Sequence, residues 1–342
     1  MKYRASPLEF RARDRAHLTK CLQRFRAKRI LVIGDVGVDR YTIGRVERIS
    51  QEAPVPIVLV ESEKLKLGLA ANVSDNIYAL GGVSLLVGLT GKDPGAADLK
   101  RMLRKIKVET SHLISERSRQ TIIKDRIVTE RQQLLRVDYE DASLRPNPKT
   151  EAKILEQVDA LIESVDAIVL QDYAKGLFTA ELGAHVFALA SRYGKCVAVD
   201  PNSKTNVQAY RGASVLTPNK EEAESLAGLK IKDESTLFEA GGRILKSTEA
   251  QHVVITRGKE GMAVFSLGSS NCRIIPTFAR DVYDVSGAGD TVISVLSLAL
   301  ASGSAIEDAA LLANLAAGIE VGKRGTATVS VKEIREAMKQ AG

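Results

Sequence analysis

The chain of 342 residues contains no tryptophan, and aromatic residues make up only 4% of it. That scarcity leaves little to build the stacking platforms on which single-stranded nucleic acids lie, and no nucleic-acid-reading module stands out despite a net charge of +7. Cysteine is almost as rare. Cys21, Cys196 and Cys272 are far apart and odd in number, which argues against a disulfide framework and fits a reducing cytoplasm. The four histidines are isolated, with no paired Cys/His spacing of the kind that holds zinc. No apolar run is long enough to cross a bilayer. The basic stretch 1–28 is followed by no apolar core and no small-residue cleavage site, so it does not read as a signal peptide. Internal repeats and low-complexity linkers are missing too. These exclusions leave a cytoplasmic globular protein whose charge suits small anions such as nucleotides and sugar phosphates, with neither nucleic acid nor membrane as a partner.

Much of the excess charge lies at the start, in Arg11, Arg13, Arg15, Lys20, Arg24, Arg26 and Lys28, with Leu18, Leu22 and Phe25 at helical spacing among them. Residues 1–28 are therefore expected to be a basic extension carrying a surface helix. A β-branched run at 29–33 predicts the first buried strand. Helical spacing over 70–80 stops at Gly81-Gly82, 84–88 predicts a strand and 96–106 a helix. From Pro148 onward the two types alternate. Helices are expected over 151–162, 182–191 and 220–227, and strands over 167–170, 197–199, 214–216 and 253–256. The last third turns mostly helical, over 291–301, 306–321 and 331–340. This rhythm predicts one α/β domain over 29–342, a doubly wound and mostly parallel sheet flanked by helices. Between 122 and 138, Ile123, Ile127, Leu134, Leu135 and Val137 stand among Arg, Lys and Gln. That pattern predicts a small sheet with one exposed face, which with an insertion near 46–60 would form a β lid. Ligands in such sheets bind at the carboxyl ends of strands. Asp35, Asp39, Asp172, Asp200, Asn219 and the glycines after Thr256 all follow predicted strands, which points to a single crevice.

The most informative stretch is Asp284-Val285-Ser286-Gly287-Ala288-Gly289-Asp290, followed by a long run of apolar and small residues. Small residues at a helix start let backbone N–H groups close on an anion, with the positive end of the helix dipole behind them. A carboxylate beside that hole supplies what phosphoryl transfer needs: a group to take a proton from an attacking hydroxyl, next to donors for the charge on the moving phosphoryl. Standing alone, the same residues would serve as a turn and a helix cap.

Two further motifs give the stretch its context: Gly68-Leu69-Ala70-Ala71-Asn72 before it, and Thr217-Pro218-Asn219-Lys220-Glu221-Glu222, an NxxE element, between. In this order and separation they resemble the PfkB, or ribokinase-like, carbohydrate kinases. Within that family the chain is most similar to the kinase domain of heptose-7-phosphate kinases. That likeness is carried by Gly34-Asp35-Val36 with Asp39-Arg40-Tyr41, and by Arg48-Ile49-Ser50-Gln51-Glu52-Ala53-Pro54-Val55-Pro56. It is also carried by Gln132-Gln133-Leu134-Leu135-Arg136-Val137-Asp138, Asp172-Tyr173-Ala174-Lys175-Gly176, and Val321-Gly322-Lys323 with Gly325-Thr326. The resemblance runs from about residue 30 to the end. It implies a ribokinase-like fold, ATP and Mg²⁺ as cofactors, and phosphorylation of the anomeric hydroxyl of D-glycero-β-D-manno-heptose 7-phosphate, a step toward ADP-heptose and lipopolysaccharide core. Many such proteins carry a nucleotidyltransferase domain after the kinase; what remains of this chain is expected to hold none. Relatives often pair through the lid, which implies a homodimer.

The resemblance also implies roles. Asp290 would be the catalytic base, with Gly287, Ala288 and Gly289 as the anion hole. Asn219 and Glu222 would organise Mg²⁺, partly through water; the same pair would otherwise read as a helix cap and a first-turn acid. Thr256, Gly258 and Gly261 would form the nucleotide-side turn, with Asn314 beside the adenosine. Asp284 and Ser286, with the 322–325 loop, match the monovalent-cation site that some relatives fill with K⁺. Asp39, Gly68, Asn72 and Asp172 would meet the sugar, because carboxylates and amides orient several hydroxyls. Arg136 and Lys175, with Lys124 and Arg126 behind, would meet the far phosphate; each would otherwise be a solvated surface charge.

Two positions depart from the family pattern. Leu69 stands where a second glycine is usual, and at a positive φ it would cost roughly 1–2 kcal/mol. Its side chain would also border the sugar. Asn202, after Asp200-Pro201, stands where close relatives carry lysine, which removes a positive charge from the phosphate region. Both keep other readings open: a PfkB kinase for a different sugar, or a non-catalytic sugar- or nucleotide-binding regulator on the kinase fold. The retained Asp290, Asn219 and Glu222 argue against the second.

Overall fold

Runs of Val, Ile and Leu make strands covered on both faces, whereas alternating runs make a sheet that is wet on one side. Both kinds occur in the computed structural model, which describes residues 3–11, 14–130, 132–141, 145–279, 282–323, 325 and 327–340. The first half of the chain gives β1 Arg4–Pro7, α1 Arg15–Arg24, β2 Arg29–Gly34, β3 Val36–Ile49, β4 Pro56–Leu69, α2 Ala70–Ala79, β5 Val83–Thr90, α3 Pro94–Lys105, β6 Leu113–Ser115, β7 Ile122–Val128 and β8 Gln133–Tyr139. The second half gives α4 Pro148–Leu161, β9 Ala167–Gln171, α5 Ala180–Tyr193, β10 Cys196–Asp200, β11 Val215–Leu216, α6 Lys220–Ala227, α7 Glu234–Thr248, β12 His252–Thr256, β13 Met262–Ser266, β14 Asn271–Ile275, α8 Ala288–Ala301, α9 Ile306–Glu320 and α10 Val331–Gln340.

Ten strands form the main sheet in the order β1-β14-β13-β12-β11-β10-β9-β2-β5-β6, and four form the lid in the order β4-β3-β7-β8. From β12 to β6 every neighbouring pair is parallel, and β13 runs antiparallel to both β12 and β14. Alternation along β2 shows the double covering. Ile30 and Val32 enter one apolar cluster with α2, α8 and α9, while Leu31 and Ile33 enter another with α4, α5 and α7. Each such fully buried aliphatic side chain contributes roughly 1.5–3 kcal/mol. The expected doubly wound, mostly parallel α/β sheet with a β lid is therefore what the chain forms. Among the described residues, no helix is long and apolar enough to cross a membrane.

Some expectations need correction. The described part of 1–28 does not stand apart from the main domain. β1 pairs with β14 at the sheet edge, and α1 sends Leu18, Leu22 and Phe25 into the first cluster. The helical spacing was the better guide there, and the charges occupy the outer face. Arg13 lies outside the described residues. The lid is also longer than an insertion near 46–60, since β3 and β4 each have 14 residues. Their roots bury Val36, Val38 and Leu67 in the main core, so the lid strands begin inside the main domain. Helix α7 and strands β13 and β14 escaped the sequence pattern. In α7 the pair Gly241-Gly242 weakens the helical signal, yet a Cβ on Gly241 would sit 2.6 Å from the Phe265 ring, so the helix needs that glycine to close on β13.

Candidate active site

The parallel strands β2, β9, β10, β11 and β12 share one carboxyl edge, and α8 begins there. Gly287 has φ +99, and among the described residues no side chain caps this helix end, which leaves its first-turn N–H groups to an anion. α2 packs alongside through small polar contacts: Thr291 Oγ1 donates to Asn76 Oδ1 at 3.1 Å and Ser294 Oγ to the Val73 carbonyl at 3.3 Å. That closeness sets the first turns of the two helices face to face. Asn72 Nδ2 donates to Asp290 Oδ2 at 2.6 Å. Tyr173, just beyond β9, donates its hydroxyl to Asp290 Oδ1 at 2.7 Å. Loss of water raises the Asp290 carboxyl to about 6, against the pull of these two hydrogen bonds and Lys124, while Asp39 adds to the rise. At neutral pH the group is ionised with a pKa close to the working range, which suits a general base.

Along the same edge a cavity of about 450 Å³ brings together Asn219, Glu222, Thr256, Gly258, Ala288 and Gly289, with Asp200 and Thr217. Asn219 and Glu222 form a complete capping box: Asn219 Oδ1 accepts from Glu222 N at 3.0 Å, and Glu222 Oε2 accepts from Asn219 N at 2.8 Å. The helix-cap geometry is thus realised, and it fixes the Glu222 carboxylate at the cavity. Burial pushes Glu222 up to about 7. Asp200 is pushed well above the usual carboxylate range by burial and by the charges of Glu222 and Asp290. Carboxyls that raise one another form a donor set that a divalent cation relieves. Mg²⁺ keeps several waters and uses few protein carboxylates, so the residues fit a Mg-nucleotide. Among the described residues no group of three or more His, Cys, Asp or Glu forms a metal cluster.

Other predicted nucleotide-side residues serve neighbouring loops. Gly261, at φ +79, lies against the backbone of Ile275 to Thr277, where a Cβ would collide with the Ile275 carbonyl. Asn314 is buried and donates Nδ2 to the Pro276 carbonyl at 2.6 Å, tying down the chain just after β14. Asp284 Oδ1 accepts from Ser286 N at 2.9 Å. The Tyr283 and Asp284 amides donate to the Val321 carbonyl at 2.8 and 3.3 Å, which draws the end of α9 to this turn. Thr326 lies outside the described residues.

The lid presents the opposite wall. Its register sets Asp39 beside Lys66 and Lys124, Tyr41 beside Lys64 and Arg126, and Arg126 beside Arg136. Residues two apart on a strand share a face, so these side chains form one basic surface. Arg126 Nη1 donates to Asp39 Oδ1 at 2.7 Å. Gly68 makes room there, since a Cβ on it would lie 3.3 Å from Asp39 Cγ. Burial lowers the pKa of Lys66 and of Lys124, with Asp39 opposing. Arg136 is half exposed and holds Asp138 on its own strand at 2.8 and 3.0 Å. Lys175 pairs with Glu140 just beyond β8. Asp172 is buried, and its two oxygens accept from Ala174 N at 2.8 Å, Thr205 Oγ1 at 2.5 Å and Tyr210 Oη at 2.7 Å. It therefore anchors its own loop. Asn202 Oδ1 accepts from Lys204 N at 3.0 Å. Leu69 is buried at φ +58 and ψ −138, with Cδ1 over Gly37, so the backbone there does require a positive φ.

Sequence reasoning gave no role to Tyr173 or Asp200. Each was visible as a polar group at a strand end, but nothing local tells that the Tyr173 hydroxyl meets a carboxyl 117 positions away or that Asp200 lies near Glu222 and Asp290.

A profile of pfkB family carbohydrate kinases matches residues 27–333. The chain is 41% identical over 304 residues to the bifunctional protein HldE of Geobacter sulfurreducens, covering 89% of this chain and 61% of that protein. It is 44% identical over 318 residues to the bifunctional protein HldE of Alcanivorax borkumensis, covering 93% and 65%. The chain thus spans less than two thirds of the length of these curated relatives. Among solved structures, phosphofructokinase-2 of Escherichia coli with substrates and products superposes with a TM-score of 0.76 at 18% identity, over 92% of this chain and 99% of that one. Arabidopsis thaliana ribokinase with ribose and ATP does so with a TM-score of 0.73 at 18% identity, over 92% and 99%.

Proposed function

The chain belongs to the pfkB family of carbohydrate kinases, and from that premise we propose that it phosphorylates the anomeric hydroxyl of D-glycero-β-D-manno-heptose 7-phosphate, giving the 1,7-bisphosphate for ADP-heptose and lipopolysaccharide core. The observation that carries the reading is the pairing of two walls. An ionised Asp290 stands beside an uncapped helix start on one side, and a face bearing Lys66, Lys124, Arg126 and Arg136 lies on the other. A free sugar has no use for so many cations, whereas a sugar 7-phosphate brings a dianion that guanidinium groups bind in pairs. The heptose-kinase resemblance of the Gln132–Asp138 and Asp172–Gly176 stretches and the HldE relatives support the same choice.

In this scheme Asp290 accepts the proton of the anomeric hydroxyl as it attacks, and Asn72 orients that hydroxyl as well as the base. The amides of Gly287, Ala288 and Gly289 hold the charge on the moving phosphoryl group. ATP with Mg²⁺ supplies that group, and Asn219 and Glu222, with Asp200 beneath, are the residues that would hold the metal and its waters. Thr256 and Gly258 border the nucleotide. Asp39 and Gly68 meet sugar hydroxyls, and Lys175 joins the phosphate site. Asp284 and Ser286 would line a K⁺ site. A second copy of the chain would cover Ile49, Val55, Val60 and Leu135, apolar side chains of the lid exposed at 52–59%. Three unpaired thiols fit a cytoplasmic setting.

A panel of free and phosphorylated sugars with ATP, read as ADP release, tests the proposal. Turnover on the heptose 7-phosphate is expected; turnover on ribose or free hexoses alone would reject it. Leu69 and Asn202 favour the second reading, a kinase of this family for another sugar phosphate, which the same panel would reveal.

A further inference from the structure

The loop between β9 and α5 is braced at more points than its length demands. Asp172 accepts from Ala174 N, Thr205 Oγ1 and Tyr210 Oη at 2.5–2.8 Å. Asp35, at the end of β2, accepts from the amides of Lys175 and Leu177, each at 3.2 Å. Arg119 donates Nη1 to the Lys175 carbonyl at 3.0 Å, and the Lys175 ammonium pairs with Glu140 from the lid. Within this frame Ala174 sits at φ +52. A side chain other than glycine stays in that region when its surroundings over-determine it, and such spots gather at functional sites. The bracing fixes the place of one side chain in particular, Tyr173, whose hydroxyl lies 2.7 Å from Asp290 Oδ1.

We propose that Tyr173 is a positioning residue: it holds one oxygen of Asp290 while Asn72 holds the other, and so keeps the base aimed and ionised. The inference rests on the reading of Asp290 as the base. The direction of the bond follows from the surroundings. Burial first, then the charges of Asp290 and Asp200, raise the Tyr173 hydroxyl well above its ordinary pKa, so it keeps its proton and donates. A donor to a carboxylate favours the charged form. The other charged groups facing Asp290 are Asp39 and Lys124 from the lid, Asp200 at the end of β10 and Glu320 at the end of α9. Asp39 opposes ionisation of Asp290, whereas Asp200 and Glu320 are themselves raised by its charge, which leaves Tyr173 and Asn72 as the near groups that hold it charged together with Lys124.

Tyr173→Phe removes the hydroxyl and keeps the ring. Wild-type, Y173F and D290N proteins labelled with ¹³C at aspartate carboxyls are titrated by NMR, the Asp290 signal being the one missing from D290N. The Asp290 midpoint in Y173F is expected to rise by about one unit, the size of a hydrogen bond to a charged group. In parallel, the acid limb of kcat/KM should move up by the same amount, lowering the rate near pH 6 roughly fivefold and the rate near pH 8.5 much less. An unmoved midpoint, or a loss of rate equal at every pH, beside a D290N protein without turnover would overturn the role of Tyr173 and leave the base in place. Normal turnover in D290N would overturn the base reading and the positioning role together, whatever the midpoint does.

Discussion

The floor of the cleft and the lid above it follow opposite rules. On the floor, Asn72, Tyr173 and Thr217 hold Asp290 and Asp200 at 2.6–3.2 Å, and each comes from a helix start or strand end rooted in a core covered on both sides. On the lid, Arg136 is half exposed and Lys66 and Lys124 are partly exposed on a sheet wet on one side, while Arg126 is already tied to Asp39 at 2.7 Å. The difference separates fixing from reaching. Proton and phosphoryl transfer reward atoms held in place before the substrate arrives. Capture of a flexible sugar phosphate rewards cations that can follow it. Changes to the floor should therefore act on kcat, and changes to the lid on KM.

The largest expected effect is on the floor. Asp290→Asn should keep ATP binding, measured by calorimetry, and lower kcat by at least about 10²-fold, the low end for a general base. Wild-type turnover should fall as pH drops through about 6, and D290N should lose that limb. Stability runs the other way. The carboxyl is raised in the folded protein above its ordinary 3.8, so the native state binds the proton more tightly than the unfolded chain. Its ionisation therefore weakens folding above about 6, and the penalty lifts as pH falls toward the ordinary carboxylate value. A thermal-unfolding series over that window should show D290N flatter than the wild type.

The next effect is on the lid. Arg126→Met should raise KM for the phosphorylated sugar roughly tenfold while changing kcat less than about threefold, as expected for binding shared by ground and transition states. The variant also strips Asp39 of its 2.7 Å partner, so Lys124→Met, whose side chain lies beside the same carboxyl, is the companion measurement. A loss confined to kcat in both would erase the division between floor and lid.

The same contrast sorts what the sequence made legible. The anion hole, the NxxE element and the alternation of β2, β9, β10 and β12 with helices are local signals, each written in a few adjacent residues. Tyr173 is not local: its aim depends on Asp35, Arg119, Glu140, Thr205 and Tyr210, which only the fold assembles. Glu222 was legible both as a cap and as a metal organiser, and the fold makes the cap, which is what sets its carboxylate at the cavity. The N-terminal helix was legible from Leu18, Leu22 and Phe25 at helical spacing, and these are the side chains that enter the core. The lid's length was hidden because its roots are buried as core strands while its tip is mostly exposed.

The smallest expected effect lies where the two regions join. Leu69 ends β4, precedes α2, and holds φ +58 with ψ −138 while its side chain packs over Gly37 at the root of β3. That backbone region is natural to glycine and strains any side chain by roughly 1–3 kcal/mol. Leu69→Ala and Leu69→Gly both empty the space filled by the leucine, so both should unfold at lower temperature than the wild type. They differ in strain, which alanine keeps and glycine releases. Glycine gives back part of that gain, about 0.4–1 kcal/mol, through the greater freedom of its unfolded chain. The balance favours glycine by about 1 kcal/mol, near 2 °C for a chain of this size, against the usual order in which alanine is the more stable. Should L69A melt above L69G, the junction is relaxed, and the leucine is then a simple packing group with no strain held between floor and lid.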